Sequence, residues 1–184
     1  MRVVAGKFRG RTIHGPKSDA IRPTADRLRE SVFNILVHAY GNPILDARVL
    51  DLFAGTGALG IEAISRGARF ALFVEDSTEG RALLRENVEA FALGGVAKIF
   101  RRDATQLGVV HPNEPFTVVF CDPPYRKGLA ERALTSARGG GWLAPGAIAV
   151  VEEAVDAKFT APEGFEELER RAYDDTEFAI LCAA

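Results

Sequence analysis

The sequence has little of what builds several common classes of protein. Only two of its 184 residues are cysteine, Cys121 and Cys182, which excludes a disulfide-stapled framework. Both sit in apolar runs and read as small buried hydrophobes, so a reducing, cytoplasmic location is expected. The three histidines, His14, His38 and His111, are scattered without metal-ligand spacing, and no metal is expected. No stretch approaches the roughly 18 apolar residues of a membrane span. The opening Met1-Arg2-Val3-Val4-Ala5-Gly6-Lys7 also lacks the apolar run of a signal peptide. There is no internal repeat, no low-complexity tract and almost no net charge, with 23 basic against 25 acidic residues.

What is present is the composition of one water-soluble globular domain, 47% hydrophobic and 26% charged. The near-neutral total hides an asymmetry. The first thirty residues hold eight Lys and Arg against three Asp and Glu, a net of +5, and the remainder holds 15 against 22, a net of −7. A basic arm thus precedes an acidic body. Within a single domain of residues 1–184, the arm covers residues 1–23, a helix 24–40 and an α/β core 44–184.

In the arm, Arg2-Val3-Val4-Ala5-Gly6 and Arg11-Thr12-Ile13-His14 can pair as a small hairpin, and Pro16 and Pro23 bracket a loop. From Thr24, a candidate N-cap, Leu28, Val32, Ile35, Leu36 and Ala39 recur at helical spacing. The polar side of that helix carries Arg27, Ser31, Asn34 and His38 and is left free for a partner. After Pro43 strands and helices alternate: strands at 49–54, 70–75, 97–102, 116–121 and 147–151, helices at 58–66, 77–91 and 128–137. Residues 165–173 and 177–182 close the chain as an antiparallel hairpin about Asp174-Asp175. The expected fold is α/β, a doubly wound, mostly parallel seven-stranded sheet whose ligands bind at the carboxyl ends of the strands.

Two motifs fall at such ends. Gly55-Thr56-Gly57-Ala58-Leu59-Gly60 fits G-x-G-x-x-G directly after a strand, with Glu75 twenty positions beyond Gly55 at the tip of the next strand. Glycines allow close backbone approach to a ligand, and the carboxylate can accept from a ribose diol, so a nucleoside-containing cofactor is expected. The motif alone does not choose between NAD and S-adenosylmethionine, and its glycines could instead serve helix packing. Asp122-Pro123-Pro124-Tyr125 makes the choice. Its two prolines fix φ and remove two donors, leaving a rigid, acceptor-only corner that suits a substrate donating N–H bonds, such as the exocyclic amine of a base. Accepting from both N–H protons favours a lone pair localised on nitrogen for in-line attack on a sulfonium methyl. Tyr125 offers a flat face on which an extruded base can stack. Against this stands the plainer role of a strand terminator.

With these residues the chain resembles class I S-adenosylmethionine-dependent methyltransferases, D-P-P-Y marking their amino-nitrogen branch. The closer resemblance is to the bacterial 16S ribosomal RNA guanine-N2-methyltransferases. It is carried by Arg2-Val3-Val4-Ala5-Gly6-Lys7-Phe8-Arg9-Gly10-Arg11, by Arg22-Pro23-Thr24-Ala25-Asp26-Arg27-Leu28-Arg29-Glu30 with Phe33-Asn34, and by the run from Asp51 to Ala63. Asp122-Pro123-Pro124-Tyr125 and Gly141-Trp142-Leu143 continue it. The resemblance implies methylation of one guanine of small-subunit RNA, preferably in an assembled 30S subunit, without a separate RNA-binding domain. It implies that Gly55, Gly57 and the adjoining Asp51, Ala54 and Thr56 cradle the methionine part of the cofactor. Glu75 or Asp76 would hold the ribose, Glu75 being favoured because it comes first after the strand, and Asp103 with Ala104 would face the adenine. Asp122 and the Pro123 carbonyl would orient the guanine amino group, with Pro124 completing the corner, and Tyr125 would stack on the base.

The candidate RNA contacts are Lys7, Arg9, Arg11, Arg22, Arg27, Arg29 and Asn34. Lys7, Arg9, Arg11 and Lys17 can lie along a phosphate backbone, although a charge run is often only a solvated face. Arg22, Arg27 and Arg29 flank the helix start and could instead anchor the arm over the cofactor cleft, or form a local pair such as Asp26 with Arg29. The acidic run from Glu152 to Glu177 is expected on the surface opposite the RNA. No exposed apolar seam marks a second copy, so a monomer is expected. Adenine or cytosine in DNA, or a protein glutamine, remain possible acceptors. A dinucleotide oxidoreductase or silent nucleotide-binding module is the reading from another class, weakened because D-P-P-Y does nothing for hydride transfer.

Overall fold

The computed structural model describes residues 1–16 and 23–184. Lys17, Arg22 and the loop between Pro16 and Pro23 lie outside the described residues, as does the side chain of Thr24. The elements run α1 (Pro23–Ala39), β1 (Arg48–Leu52), α2 (Ala58–Ser65), β2 (Phe70–Val74), α3 (Thr78–Ala90), β3 (Ala97–Phe100), β4 (Phe116–Cys121), α4 (Leu129–Gly139), β5 (Leu143–Ala154), β6 (Phe165–Tyr173) and β7 (Thr176–Ala183). The seven strands form one sheet in the order β3-β2-β1-β4-β5-β7-β6. The first five neighbours are parallel, β7 runs antiparallel to β5, and β6 antiparallel to β7. The expected C-terminal hairpin is present, and its second strand lies inside the sheet while β6 forms the edge.

Strands paired on both sides and covered on both faces must be apolar throughout, which is why β1, β2 and β4 read as continuous runs rather than as alternation. Their side chains divide by period two. Val49, Ala71, Phe73, Phe120 and Val150 pack under α1, α2 and α3. Leu50, Leu72, Val74, Val119 and Val151 face the other way, onto Ala130, Ala133, Leu134 and Ala137 of α4 and the fully buried Trp142. Cys121 is buried within β4, whereas Cys182 on β7 is only half-buried, and both are free thiols.

Several strands are shorter than their apolar runs because tertiary turns cut them. β1 stops at Leu52 because Phe53 adopts φ +56°, a left-handed turn that starts the glycine loop. β5 is longer than expected, beginning at Leu143 with a register shift against β4 between Phe116 and Val118. The N-terminal hairpin is reduced to one bridge, Arg2 with Thr12, flanked by bonds from Val3 N to Arg11 O (2.9 Å) and from Ile13 N to Met1 O (2.8 Å).

This arm is bolted to α2. Glu62, fully buried, accepts from the amides of Val4 (2.9 Å) and Ala5 (3.1 Å), from Arg29 Nε (3.3 Å) and from Arg66 Nε (2.9 Å). Ser65 accepts from Phe8 N and donates to Ala5 O. Gly6 is required here: at φ +86° its missing Cβ would sit 1.9 Å from the Ser65 carbonyl. Because the arm covers its outer face, α2 is buried from Gly60 to Ser65 on every side.

Candidate active site

The sheet order reverses between β1 and β4, whose chain continuations diverge, and a crevice opens at their carboxyl ends. The register pairs Leu52 with Cys121, so the loops that follow, Phe53 to Gly57 and Asp122 to Tyr125, leave the sheet side by side. Between them lies a cavity of about 860 Å³ bordered by both loops, by Glu75 and Ser77 after β2, by Glu152 on β5, and by Met1, Leu28, Arg29 and Val32 of the arm and α1. Asp51, Ala54, Gly55, Thr56, Glu75, Asp122, Pro123, Pro124 and Tyr125 all border it.

The three motif glycines have different physical reasons. A Cβ on Gly57 would meet Leu84 at 2.7 Å and one on Gly60 would meet Phe73 at 2.4 Å, so these two serve packing. Gly55 is the opposite case: at φ +56° a Cβ there meets nothing within 4 Å, and the bare backbone faces the cavity. Glu75 spans the loop, its Oε1 accepting from Gly55 N (2.8 Å) and its Oε2 from Ser77 N (2.9 Å). Gly80 makes room for it, since a Cβ would lie 2.7 Å from the Glu75 carboxyl carbon. Asp76 is exposed and does not border the cavity. Thr56 is tied through its carbonyl to Asn87 Nδ2 (2.8 Å), and Asn87 also exchanges bonds with the backbone of His14, so the arm and the glycine loop share one amide side chain.

The cavity floor is acidic. Asp51 is buried and accepts from Gly60 N at 3.0 Å; burial, opposed by that amide and reinforced by Glu75, pushes its carboxyl up to about 8. Asp122 is held well above the usual carboxylate range by burial and by the charge of the neighbouring Glu152. Tyr125 donates to Glu152 Oε1 at 2.7 Å, and burial with the neighbouring carboxylates raises its hydroxyl far above the usual phenol. With the hydroxyl tied, the ring has one orientation.

The structure corrects the sequence-based expectation at three places. Arg29, taken as an RNA contact, is buried and engaged by Glu62, by Asp26 at 2.9 Å and by the Arg2 carbonyl, so it ties the arm to α1. Asp103 and Ala104 do not border the cavity: Ala104 is buried in the core, and Asp103 accepts the hydroxyl and amide of Thr105, which hold its carboxyl below the ordinary range. Glu152, assigned by charge to a remote acidic surface, lines the cavity. Arg11 is exposed, yet its guanidinium lies 4.3 Å over the Phe91 ring and donates to Ala90 O at 2.7 Å, fixing the arm to the end of α3.

Lys7, Arg9, Arg27 and Asn34 are exposed. Lys7 N bonds to Ser65 O at the end of α2, so the Lys7 end of the arm sits at the far end of α2 from the glycine loop, whereas Arg11, at Ala90 O, lies three residues from the Asn87 that holds Thr56 O. Eight residues of helix place the Lys7 end about 12 Å along the α2 axis from the loop. Sequence reasoning missed Glu152, Phe53 and the arm's own Met1 as cavity walls.

Comparisons with known proteins agree with this geometry. The chain matches the family described as Conserved hypothetical protein 95 over residues 1–182. It is 38% identical over 156 residues to ribosomal RNA small subunit methyltransferase D of Escherichia coli K12, covering 85% of this chain and 76% of that one. The protein of the same name from Haemophilus influenzae is 34% identical over 167 residues, covering 90% and 84%. The solved structure of yhhF from Escherichia coli superposes with a TM-score of 0.82 at 32% identity, over 100% of this chain and 97% of that one. At 18% identity the magnesium protoporphyrin IX methyltransferase of Synechocystis, solved with S-adenosylmethionine, still gives a TM-score of 0.67, which shows the class I methyltransferase fold. The chain belongs to the family of ribosomal RNA small subunit methyltransferase D.

Proposed function

We propose that the protein transfers a methyl group from S-adenosylmethionine to the exocyclic N2 amino group of a guanine in 16S ribosomal RNA, in the assembling or assembled small subunit. The observation that carries this reading is the convergence of Gly55, Glu75 and the Asp122-Pro123-Pro124-Tyr125 corner on one cavity. The residues fit the cofactor. The cavity's 860 Å³ is within the range of ligand pockets. Bare backbone at Gly55 permits close approach, and the carboxyl groups of Asp51, Glu75, Asp122 and Glu152 favour a cationic guest over an anionic one. When bound, S-adenosylmethionine supplies an electrophilic methyl group on a positively charged sulfur.

The chain's own residues do the rest. Gly55 and Glu75 hold the nucleoside part, with Glu75 favoured over Asp76 because only Glu75 borders the cavity. Asp122 and the Pro123 carbonyl accept the two N–H bonds of the substrate amine, and neither proline brings a donor to compete with it. The Tyr125 ring, its hydroxyl fixed on Glu152, receives the flat face of the base. Lys7, Arg9, Arg27 and Asn34 are left to meet the RNA backbone, along a track running from the cavity to the far end of α2. Incubation with labelled S-adenosylmethionine and 30S subunits, naked 16S RNA or duplex DNA, followed by mass spectrometry of the nucleosides, tests the reading. N2-methylguanosine from RNA is expected; N6-methyladenine, or label in protein, contradicts it.

A further inference from the structure

β4 and β5 are parallel, with Cys121 opposite Val151, so Asp122, just past the end of β4, comes beside Glu152, which is still within β5. Both carboxyl groups border the same cavity, and burial with the charge of Glu152 holds the Asp122 carboxyl well above the usual range; two carboxyl groups buried together are favoured when one of them carries a proton. Glu152 accepts the Tyr125 hydroxyl at 2.7 Å through Oε1. The next residue, Glu153, is buried and accepts from Arg126 N at 3.0 Å and Ala154 N at 2.7 Å, clamping the backbone just past Tyr125 to the end of β5. The tip of β5 therefore brackets the D-P-P-Y corner through both side chain and backbone. Nothing in the motif itself calls for this.

We propose that Glu152 is a positioning residue of the transfer site: with Asp122 it forms a carboxyl pair that holds one proton, keeps Asp122 an acceptor toward the substrate amino group, and takes up the proton that group releases. The proposal rests on the reading of the protein as an amino-nitrogen methyltransferase. A fully ionised pair in this buried place would be repelled, and a fully protonated one would lack a base; one shared proton leaves a single negative charge. The transfer is of a proton alone. It passes from nitrogen to a carboxylate oxygen, its bonding electrons stay on nitrogen, and the pair goes from one proton to two before returning one to solvent. Among the described residues the groups facing the pair are Asp51 on β1, Glu153 on β5 and Tyr125 in the loop, all acidic or neutral; the Cys121 thiol precedes Asp122 with Glu131 of α4 near it, and Arg126, which also borders the cavity, is held on Asp156 at 2.8 Å. Arg29 of α1, which also borders the cavity, is engaged with Glu62 and Asp26.

Infrared spectra of the protein alone decide the pair. In an Asp51→Asn background, which removes the other carboxyl that keeps its proton up to about 8, a protonated carboxyl band that persists at neutral pH is expected, and it is expected to vanish when Glu152→Gln is added, where the amide can still accept from Tyr125 and donate to Asp122. A thermal melt confirms that this variant folds. With 30S subunits, Glu152→Gln should lower kcat about 10²-fold at nearly unchanged KM, the loss of a proton acceptor, whereas a merely structural Glu152 would be rescued by glutamine. Absence of the band, its persistence in Glu152→Gln, or a wild-type kcat in that variant overturns the proposal. A wild type that makes no methylated guanine at all refutes the transferase reading instead, and the band in cofactor-free protein keeps the two failures distinct.

Discussion

Glu62 and Asp122 are both carboxyl groups withdrawn from water, and their surroundings are opposite. Glu62, between the arm and α2, accepts from two guanidinium groups and two backbone amides. Asp122, some sixty residues later at the cavity, has another carboxyl group and a phenol beside it, and among the described residues no cation is paired with it, since Arg29 and Arg126, which border the same cavity, are engaged elsewhere. A buried charge with partners of opposite sign builds structure; buried acids assembled without one hold a potential that a ligand must complete. The arm is where this chain satisfies its electrostatics, and the strand edge is where it leaves them open.

Breaking the satisfied side should have the largest effect on the fold. Glu62→Ala leaves Arg66 without a counter-charge and Arg29 with Asp26 alone, and orphans the amides of Val4 and Ala5, so a loss of about 3–5 kcal/mol in a denaturant melt is expected, with the arm released to proteolysis. A loss below about 1 kcal/mol would mean that Glu62 does not anchor the arm.

The open side should respond to pH. Asp51 keeps its proton in the folded chain up to about 8, whereas the unfolded chain gives it up near the ordinary 3.8. The folded state therefore binds more protons between these values. Its contribution to stability is whole below about pH 4 and is lost as pH rises toward 8. Tm measured across that window should fall, and Asp51→Asn should flatten the fall; an unchanged slope would place the titration elsewhere.

The smallest effect is expected at the charged tip. Replacing Lys7 and Arg9 by glutamine should leave Tm unchanged, weaken RNA binding a few-fold, and reduce the slope of log affinity against log salt by about one for each phosphate no longer neutralised. An unchanged slope would make the tip, like Arg29, part of the structure rather than of the RNA interface.

The same contrast separates what could be read from the sequence from what could not. The strands, the glycine loop and D-P-P-Y were legible because each is local: an apolar run, a turn and a fixed spacing lie within a few residues. Glu152 was not, because its place depends on the register of β4 with β5, thirty residues apart, and charge counting put it on a remote surface instead. Arg29 sits in a basic segment whose count cannot show that α1 turns it inward onto Glu62. Glu62 and Ser65 left a trace: they are the polar residues of a helix otherwise apolar all round, a pattern that means a second layer must cover it. The roles of Gly55 and Gly60 within one motif separated only when the space around each was known.

One variant probes the open acidic edge most directly. Asp122→Ala removes the acceptor of the corner without touching Gly55, Glu75 or the Glu62 anchor. Its Tm and its affinity for S-adenosylmethionine should stay close to wild type, while N2-methylguanosine formation on 30S subunits falls at least about 10³-fold. Formation within tenfold of wild type, or loss of cofactor binding together with turnover, would contradict the assignment of that edge to the substrate amine.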